Sequence, residues 1–194
     1  MKTTRTYTMT ARAEAAERTR VAVLDAMVGL ATSKLLVEIT LEDVAAEAGV
    51  SVQTVLRRFG SRAGLVEEAY THAVAAVDEE RSTPVGDVPA AVAAIVEHYE
   101  RRGDGVVLML AQERSDATVR RFTDTGRRMH RTWVETVFAP HLPGAGAARE
   151  ARVDLLAVVT DVYTWKQLRR DRGLDRTTTE QRIHTLVAAV TAQE

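Results

Sequence analysis

One stretch constrains this chain more than any other: Ile39–Arg62, ITLEDVAAEAGVSVQTVLRRFGSR. Thr40 followed by Asp43 is a helix start, in which short oxygen-bearing side chains meet the first free N–H groups. Glu42 and Asp43 lie where the positive end of the helix dipole favours acids. Val44, Ala45 and Ala48 give a narrow apolar face, and Ala45 is small enough for a second helix to cross it closely. Gly49 then ends the helix where a left-handed backbone suits glycine. Val50 turns inward and Ser51 caps the next helix. That helix, Val52–Phe59, places Val52, Val55, Leu56 and Phe59 at i, i+3, i+4 and i+7, so this side is expected to be buried. Gln53, Thr54, Arg57 and Arg58 lie opposite. Ser51–Arg62 contains three arginines and no acid.

That cationic face is local, because the 194-residue chain carries a net charge of −1. The molecule as a whole has no pull toward nucleic acid or anionic lipid, so a DNA-binding surface has to be a patch. Arginine suits such a patch through bidentate contact to guanine edges and charge-assisted contact to phosphates. Gln53 can read adenine, and Thr54 can meet a phosphate or a thymine methyl. Two capped helices of this kind, joined through glycine, predict a helix-turn-helix.

The remainder reads as all-α, about nine helices in total, with no strand pattern. Apolar residues recur at three- and four-residue steps, and the four prolines fall near helix ends. A polar arm, 1–10, precedes a first helix at Ala11–Ala31 with Val21, Leu24, Val28 and Ala31 on one side. Lys2, Arg5, Arg12, Arg18 and Arg20 make this end basic. Beyond the motif, helices are predicted at about Arg62–Arg81, Val88–Arg102, Val106–Glu113, from Ser115 through Val137, Ala147–Arg170 and Thr178–Ala192. Gly103-Asp104-Gly105 is read as a break, and Pro140, Pro143, Gly144 and Gly146 as a loop. Thr177 with Glu180 looks like the cap of the last helix. The domains implied are a flexible arm at 1–10, a three-helix DNA-binding domain at 11–61 and a larger helical domain at 62–194.

The motif resembles the TetR family of bacterial transcriptional regulators. The resemblance rests on Thr40-Leu41-Glu42-Asp43-Val44-Ala45, Ala48-Gly49-Val50-Ser51, Thr54-Val55-Leu56-Arg57-Arg58-Phe59 and Ser61-Arg62. Tyr163, Trp165, Leu168-Arg169-Arg170 and Gly173-Leu174 resemble a common ending among these proteins. The resemblance implies that Thr40 touches a phosphate, that Ser51 opens a recognition helix, and that Val52, Gln53 and Thr54 enter the major groove. Arg58 would reach a base or the backbone, and Arg62 stands where the family usually has a phosphate-binding lysine. Leu56 departs from the pattern, replacing a tyrosine that commonly reaches the DNA backbone.

The family also implies a second domain that takes a small-molecule effector and pairs two chains. Residues read as an effector pocket are Val92, Ile95, Tyr99, Met109, Gln112, Phe122, Gly126, Met129, His130, Trp133 and Tyr163. They combine apolar bulk with a few polar handles. Leu155, Val159 and Val162, with the stripe Ile183, Leu186, Val187 and Val190, are read as the dimer interface, since a helix apolar on two sides needs two partners. The function expected is a ligand-responsive repressor that leaves a palindromic operator when a largely apolar effector binds. Its partners would be double-stranded operator DNA, the effector and a second copy of the chain, with no membrane. The alternative is a helical regulator acting by protein contact without DNA.

No enzyme is expected: the chain lacks G-x-S-x-G, a Walker loop and H-E-x-x-H, and Gly144-Ala145-Gly146 follows no strand. No cofactor and no metal are implied, although Glu68/His72 and Glu180/His184 stand one helical turn apart. The chain has no cysteine, which suits a reducing cytoplasm, and the reading is a cytoplasmic, nucleoid-associated protein. Its longest apolar run, Ala90–Val96, is about seven residues against the roughly 20 needed to cross a bilayer.

Overall fold

The computed structural model describes residues 3–192, with side-chain surroundings from residue 13 onward. The helices are α1 (Thr3–Ala31), α2 (Leu41–Glu47), α3 (Val52–Phe59), α4 (Arg62–Glu80) and α5 (Val88–Gln112). They continue as α6 (Ala117–Val137), α7 (Ala147–Val159), α8 (Val162–Lys166) and α9 (Arg176–Thr191). Short 3-10 turns cover Leu36–Glu38 and Ala139–His141, and α8 runs into a π turn at Gln167–Asp171. Among the described residues there is no strand, and no helix is long and apolar enough to cross a membrane. The helix expected from Ala11 reaches back to Thr3, so the backbone of 3–10 belongs to α1. The side chains of Lys2, Arg5 and Arg12 lie outside the described residues.

The chain divides into two compact units, Met1–Ala75 and Ala76–Glu194. The division falls within α4 instead of just before it, because Leu65, Val66 and Ala69 of its first turns are buried with the first unit. In that unit α1 buries Val23, Leu24, Ala26 and Met27; of the stripe read from the spacing Leu24 is buried, while Val21, Val28 and Ala31 are half-buried. Leu36, Ile39, Val44, Ala45, Val55 and Phe59 complete the core.

The second unit is built on α5, which packs against α6, α8 and α9, while α7 packs against α6 and α9. Its core joins Ala91, Val92, Ile95, Val96 and Tyr99 to Val134, Val137, Phe138, Leu156, Trp165, Ile183 and Val187. α5 is one helix of 25 residues where two had been expected. Gly103 and Gly105 do not break it; both are buried. A Cβ at Gly103 would stand 2.4 Å from Cζ3 of the fully buried Trp165. That glycine permits a close approach between α5 and α8, and the neighbouring packing outweighs its roughly 1 kcal/mol helix penalty.

The opposite correction holds for Ala147–Arg170, which is not one helix. Thr160 bonds back to the Leu156 carbonyl at 2.6 Å, and Asp161 accepts the Tyr163 N–H at 2.8 Å to start α8. Asp in an apolar run is a helix start, and that signal was overridden by the continuous hydrophobic pattern. Two other caps sit one or two residues from where they were read. Asp116 caps α6 while Ser115 closes α5 on the Gln112 carbonyl, and Asp175 caps α9 through Thr178 N–H at 2.8 Å. Thr177 is not the cap.

The two helical glycines of the second unit that matter most have opposite surroundings. Gly103→Ala should destabilise the protein by about 1–3 kcal/mol through overpacking. Gly126→Ala, where a Cβ meets nothing within 4 Å, should stabilise it by about 0.5–1 kcal/mol. Urea unfolding of both variants checks this; equal effects of one sign would contradict the packing described.

Candidate functional site

The α2–α3 corner is held by local hydrogen bonds that fix the direction of α3. Thr40 is an extended residue whose Oγ1 accepts the Asp43 N–H at 3.1 Å, while Asp43 Oδ2 accepts the Thr40 N–H at 3.0 Å. The reciprocal pair satisfies two otherwise free donors of α2. The Thr40 backbone N–H, and after it the Lys34 ammonium, hold the Asp43 carboxyl below the usual carboxylate range. Gly49, at φ +65°, closes α2, and Val50 N–H reaches back to the Ala45 carbonyl at 2.9 Å. Ser51 Oγ then accepts the Thr54 N–H at 3.2 Å and starts α3. Gly60, again left-handed at φ +73°, ends it.

Within α3, Val55 and Phe59 are buried, Val52 is half-buried, and Leu56 is 40% exposed. The expectation that Leu56 would be buried is overturned. Residues on a helix are separated by about 100°, so from the direction midway between Val55 and Phe59, Val52 lies roughly 40° and Leu56 roughly 80° round on the same side. A two-turn helix crossing a small surface covers Val55 and Phe59 and leaves Leu56 beyond its margin. Leu56 therefore stands at the edge of the outer face, beside exposed Gln53 and Arg57 and half-buried Thr54 and Arg58.

Gln53, Arg57 and Arg58 have no side-chain hydrogen bond or ion pair among the described residues, so two guanidinium groups and an amide are uncommitted. Thr40 and Ser51 are exposed, with their hydroxyls engaged in the caps. Thr54 pairs its hydroxyl with Ser51 at 2.9 Å, leaving its methyl for an apolar contact. Arg62 is different: Nε donates to the Ile39 carbonyl at 2.8 Å and Nη2 to that of Leu36. It ties α4 to the turn before α2, so part of its donor set is occupied. Arg20 is likewise committed, bridging Glu17 and Glu68.

This geometry meets an independent likeness in sequence. Residues 37–69 match the family described as bacterial regulatory proteins, tetR family. Over these residues the helix-turn-helix is similar to that of the tetR family. The fold extends the likeness over nearly the whole chain. A crystal structure assigned to TetR-family transcriptional regulators, from Rhodococcus sp., superposes with a TM-score of 0.67 at 15% identity, covering 91% of this chain and 100% of that one. A transcriptional regulator (RHA1_ro04179) from Rhodococcus sp. Rha1 gives 0.64 at 18%, covering 90% and 95%. The regulator-like SCO7518 from Streptomyces coelicolor A3(2) gives 0.60 at 19%, covering 91% and 99%. At these identities the superpositions speak for a tetR-like fold. No curated protein matches the chain.

In the second unit the residues read as an effector pocket do not stay together. Val92, Ile95, Tyr99, Phe122 and His130 are buried, and Met109, Met129 and Trp133 are half-buried. Gln112 is buried and turns back on the Leu108 carbonyl at 2.9 Å. Gly126 and Tyr163 are exposed, so neither faces that core; α8 turns Trp165 inward instead of Tyr163.

A polar cluster that the spacing did not reveal joins Tyr99, His130 and Trp133. Arg81, 7% exposed, donates Nη2 to His130 Nδ1 at 2.7 Å, and its guanidinium carbon lies 4.6 Å from the centre of the Trp133 ring. Trp133 Nε1 donates to the Arg81 carbonyl at 3.0 Å. With Nδ1 accepting, His130 donates Nε2–H toward the Ala157 carbonyl and Thr160 Oγ1, each at 3.1 Å. Tyr99 donates to the Thr160 carbonyl at 3.1 Å. His98, also buried, donates to Glu80 at 3.1 Å. Nothing in a sequence of isolated Arg and His residues announces such a cluster.

The expected dimer stripe also divides. Val162, Ile183, Val187 and Val190 belong to the core of the unit, and Val159 is half-buried against it. Leu155 and Leu186 remain exposed, at 46% and 40%, joined by Val158 at 63%. The Glu68/His72 pair faces other partners, Arg20 and Asp25, and no cluster of three metal-ligating residues occurs among the described residues.

The buried cluster gives the fold an acid-sensitive side. Burial, then the charge of Arg81, pushes His98 down to about 4 and His130 to about 3. Below the ordinary value of 6.5 the unfolded chain takes up protons that the folded chain refuses, so stability falls as pH drops through that window. Glu80, held at about 2 chiefly by its hydrogen bonds from Arg102, adds to this below the ordinary 4.5. The urea midpoint should therefore fall from pH 7 to pH 5, and less so in His130→Gln than in the parent. An equal slope in both would contradict the neutral, buried state of His130.

Proposed function

We propose that the chain is a ligand-responsive, DNA-binding transcriptional regulator, acting as a homodimer that represses from an approximately palindromic operator until a small, largely apolar effector releases it. The observation that carries this reading is the outer face of α3, where Gln53, Arg57 and Arg58 lie uncommitted on a helix fixed by caps at both sides of a tetR-type turn. Gln53 is suited to an adenine edge, Arg58 to a guanine edge or phosphate, and Arg57 to the flanking phosphate. Thr40 and Ser51 stand exposed at the starts of α2 and α3, where the first helical N–H groups suit phosphate oxygens. Such a protein works where chromosomal DNA lies, in the cytoplasm.

A dimer is required for two recognition helices to meet successive turns of one duplex. Leu155, Val158 and Leu186, exposed on the packed pair α7 and α9, support that face as the contact with a second copy. Their exposure is what an isologous interface would cover. Leu155→Asp combined with Leu186→Asp should turn the dimer into a monomer in sedimentation; an unchanged dimer would move the interface elsewhere.

The effector would act through α4, the continuous helix that leaves the recognition unit and ends at Glu80. A ligand can change operator affinity only by its differential affinity for the two states.

A second reading is regulation by protein contact, favoured by the apolar, exposed Leu56 on α3. Gel shifts with the intergenic DNA upstream of the gene, across a salt series, separate the two. Phosphate contact predicts a log-log fall of affinity with salt, and Arg57→Ala should lower that slope by about 1. Arg58→Ala should cost about 1–3 kcal/mol if it reads a base. Binding without salt dependence, or unaffected by both changes, contradicts DNA recognition by this face.

A further inference from the structure

Arg81 is a feature of the second unit that its own folding does not explain. It is 93% removed from solvent by its 7% exposure, and no carboxylate lies within ion-pair distance of it among the described residues. Other inward-turned arginines of this unit are compensated: Arg102 bonds Glu80 at 2.6 Å, and Arg169 bonds Glu100 at 2.9 Å. Glu80 is already spent on Arg102, Arg101 and His98. Arg81 has instead a neutral imidazole and an indole face, while its Nε–H is buried with no acceptor. Thr83 Oγ1, two residues on, is likewise buried without a partner. A buried cation with no carboxylate in direct contact is costly even with the more distant charge of Asp78, and an ordered water would satisfy the N–H without neutralising the charge.

We propose that Arg81 is the receptor for the effector, and that the effector carries a carboxylate beside its apolar body. This rests on the effector reading given above and narrows its ligand class. The guanidinium is pre-set for such a group. Its orientation is fixed by His130 and by the Trp133 ring, which itself is held by the Arg81 carbonyl, so a planar anion meets a donor whose position is already determined. The half-buried Met129 and Trp133 bring apolar surface from α6, and Trp133 leaves the edge of the cluster open to approach. Arg81 is also the first residue beyond α4, so an anion bound there acts at the end of the helix that starts beside α3.

The full chain can be tested with 1-naphthoate and octanoate against their uncharged counterparts, 1-naphthamide and octanamide. Thermal unfolding and the fluorescence of Trp133 and Trp165 are the readouts. The acids should raise Tm and alter the fluorescence in the parent, with the amides about tenfold weaker or more. Arg81→Gln should lose the preference for acid over amide, and Arg81→Lys, which keeps the charge, should retain part of it. The parent comparison of acid with amide stands even if a variant fails to fold. Acids and amides acting equally on the parent, or an Arg81→Gln protein that still prefers acids, would overturn the role of Arg81 while leaving an effector unit intact. Indifference of the parent to all four compounds at millimolar concentration would overturn this inference together with the effector reading it rests on.

Discussion

A helix of eight residues does not hold itself together in water, because the nucleation cost is spread over too few hydrogen bonds. α3 exists because its ends are supplied from outside: Ser51 at the start, Gly60 at the finish, and Val55 and Phe59 against the core of the first unit. The direction in which it points is set by the left-handed Gly49 and the reciprocal Thr40–Asp43 pair one helix earlier. Arg62 then ties the start of α4 to the carbonyls of the turn before α2. Remove that corner and Gln53, Arg57 and Arg58 lose their common face, however favourable their chemistry.

The arginines show how a chain of net charge −1 concentrates function. Some are structural, with guanidinium groups spent on carbonyls or carboxylates, as at Arg62, Arg102 and Arg169. Arg57 and Arg58 are held on α3 without internal partners, which suits contact with an external polyanion. Arg81 is buried against neutral aromatic groups. The three settings call for different partners, although residue type and spacing alone make them look alike.

What the sequence disclosed followed from the range of the interactions. The α2–α3 corner was legible almost residue by residue, since caps and glycine turns are made within four positions of one another. Leu56 was misjudged because a period of 3.6 gives the direction of a side chain but not the width of the surface that covers it. Gly103 was read as a break because the reason for a glycine there is Trp165, 62 positions later, which needs the space a Cβ would fill. Ile183, Val187 and Val190 were assigned to a partner chain because an apolar stripe does not say which of two neighbours it faces. Arg81 was invisible for the same reason: its neighbours His130, Trp133 and Tyr99 come from other helices, and only folding brings them together.

The central claim is that the outer face of α3 reads a duplex. Genome-wide footprinting with the purified protein measures this most directly, alongside a variant in which Gln53, Arg57 and Arg58 are all alanine. The account predicts a small set of protected sites sharing an inverted repeat, with half-sites about one helical turn apart, and their loss in the variant. Protected sites that persist in the variant, or protection without any shared repeat, would contradict it.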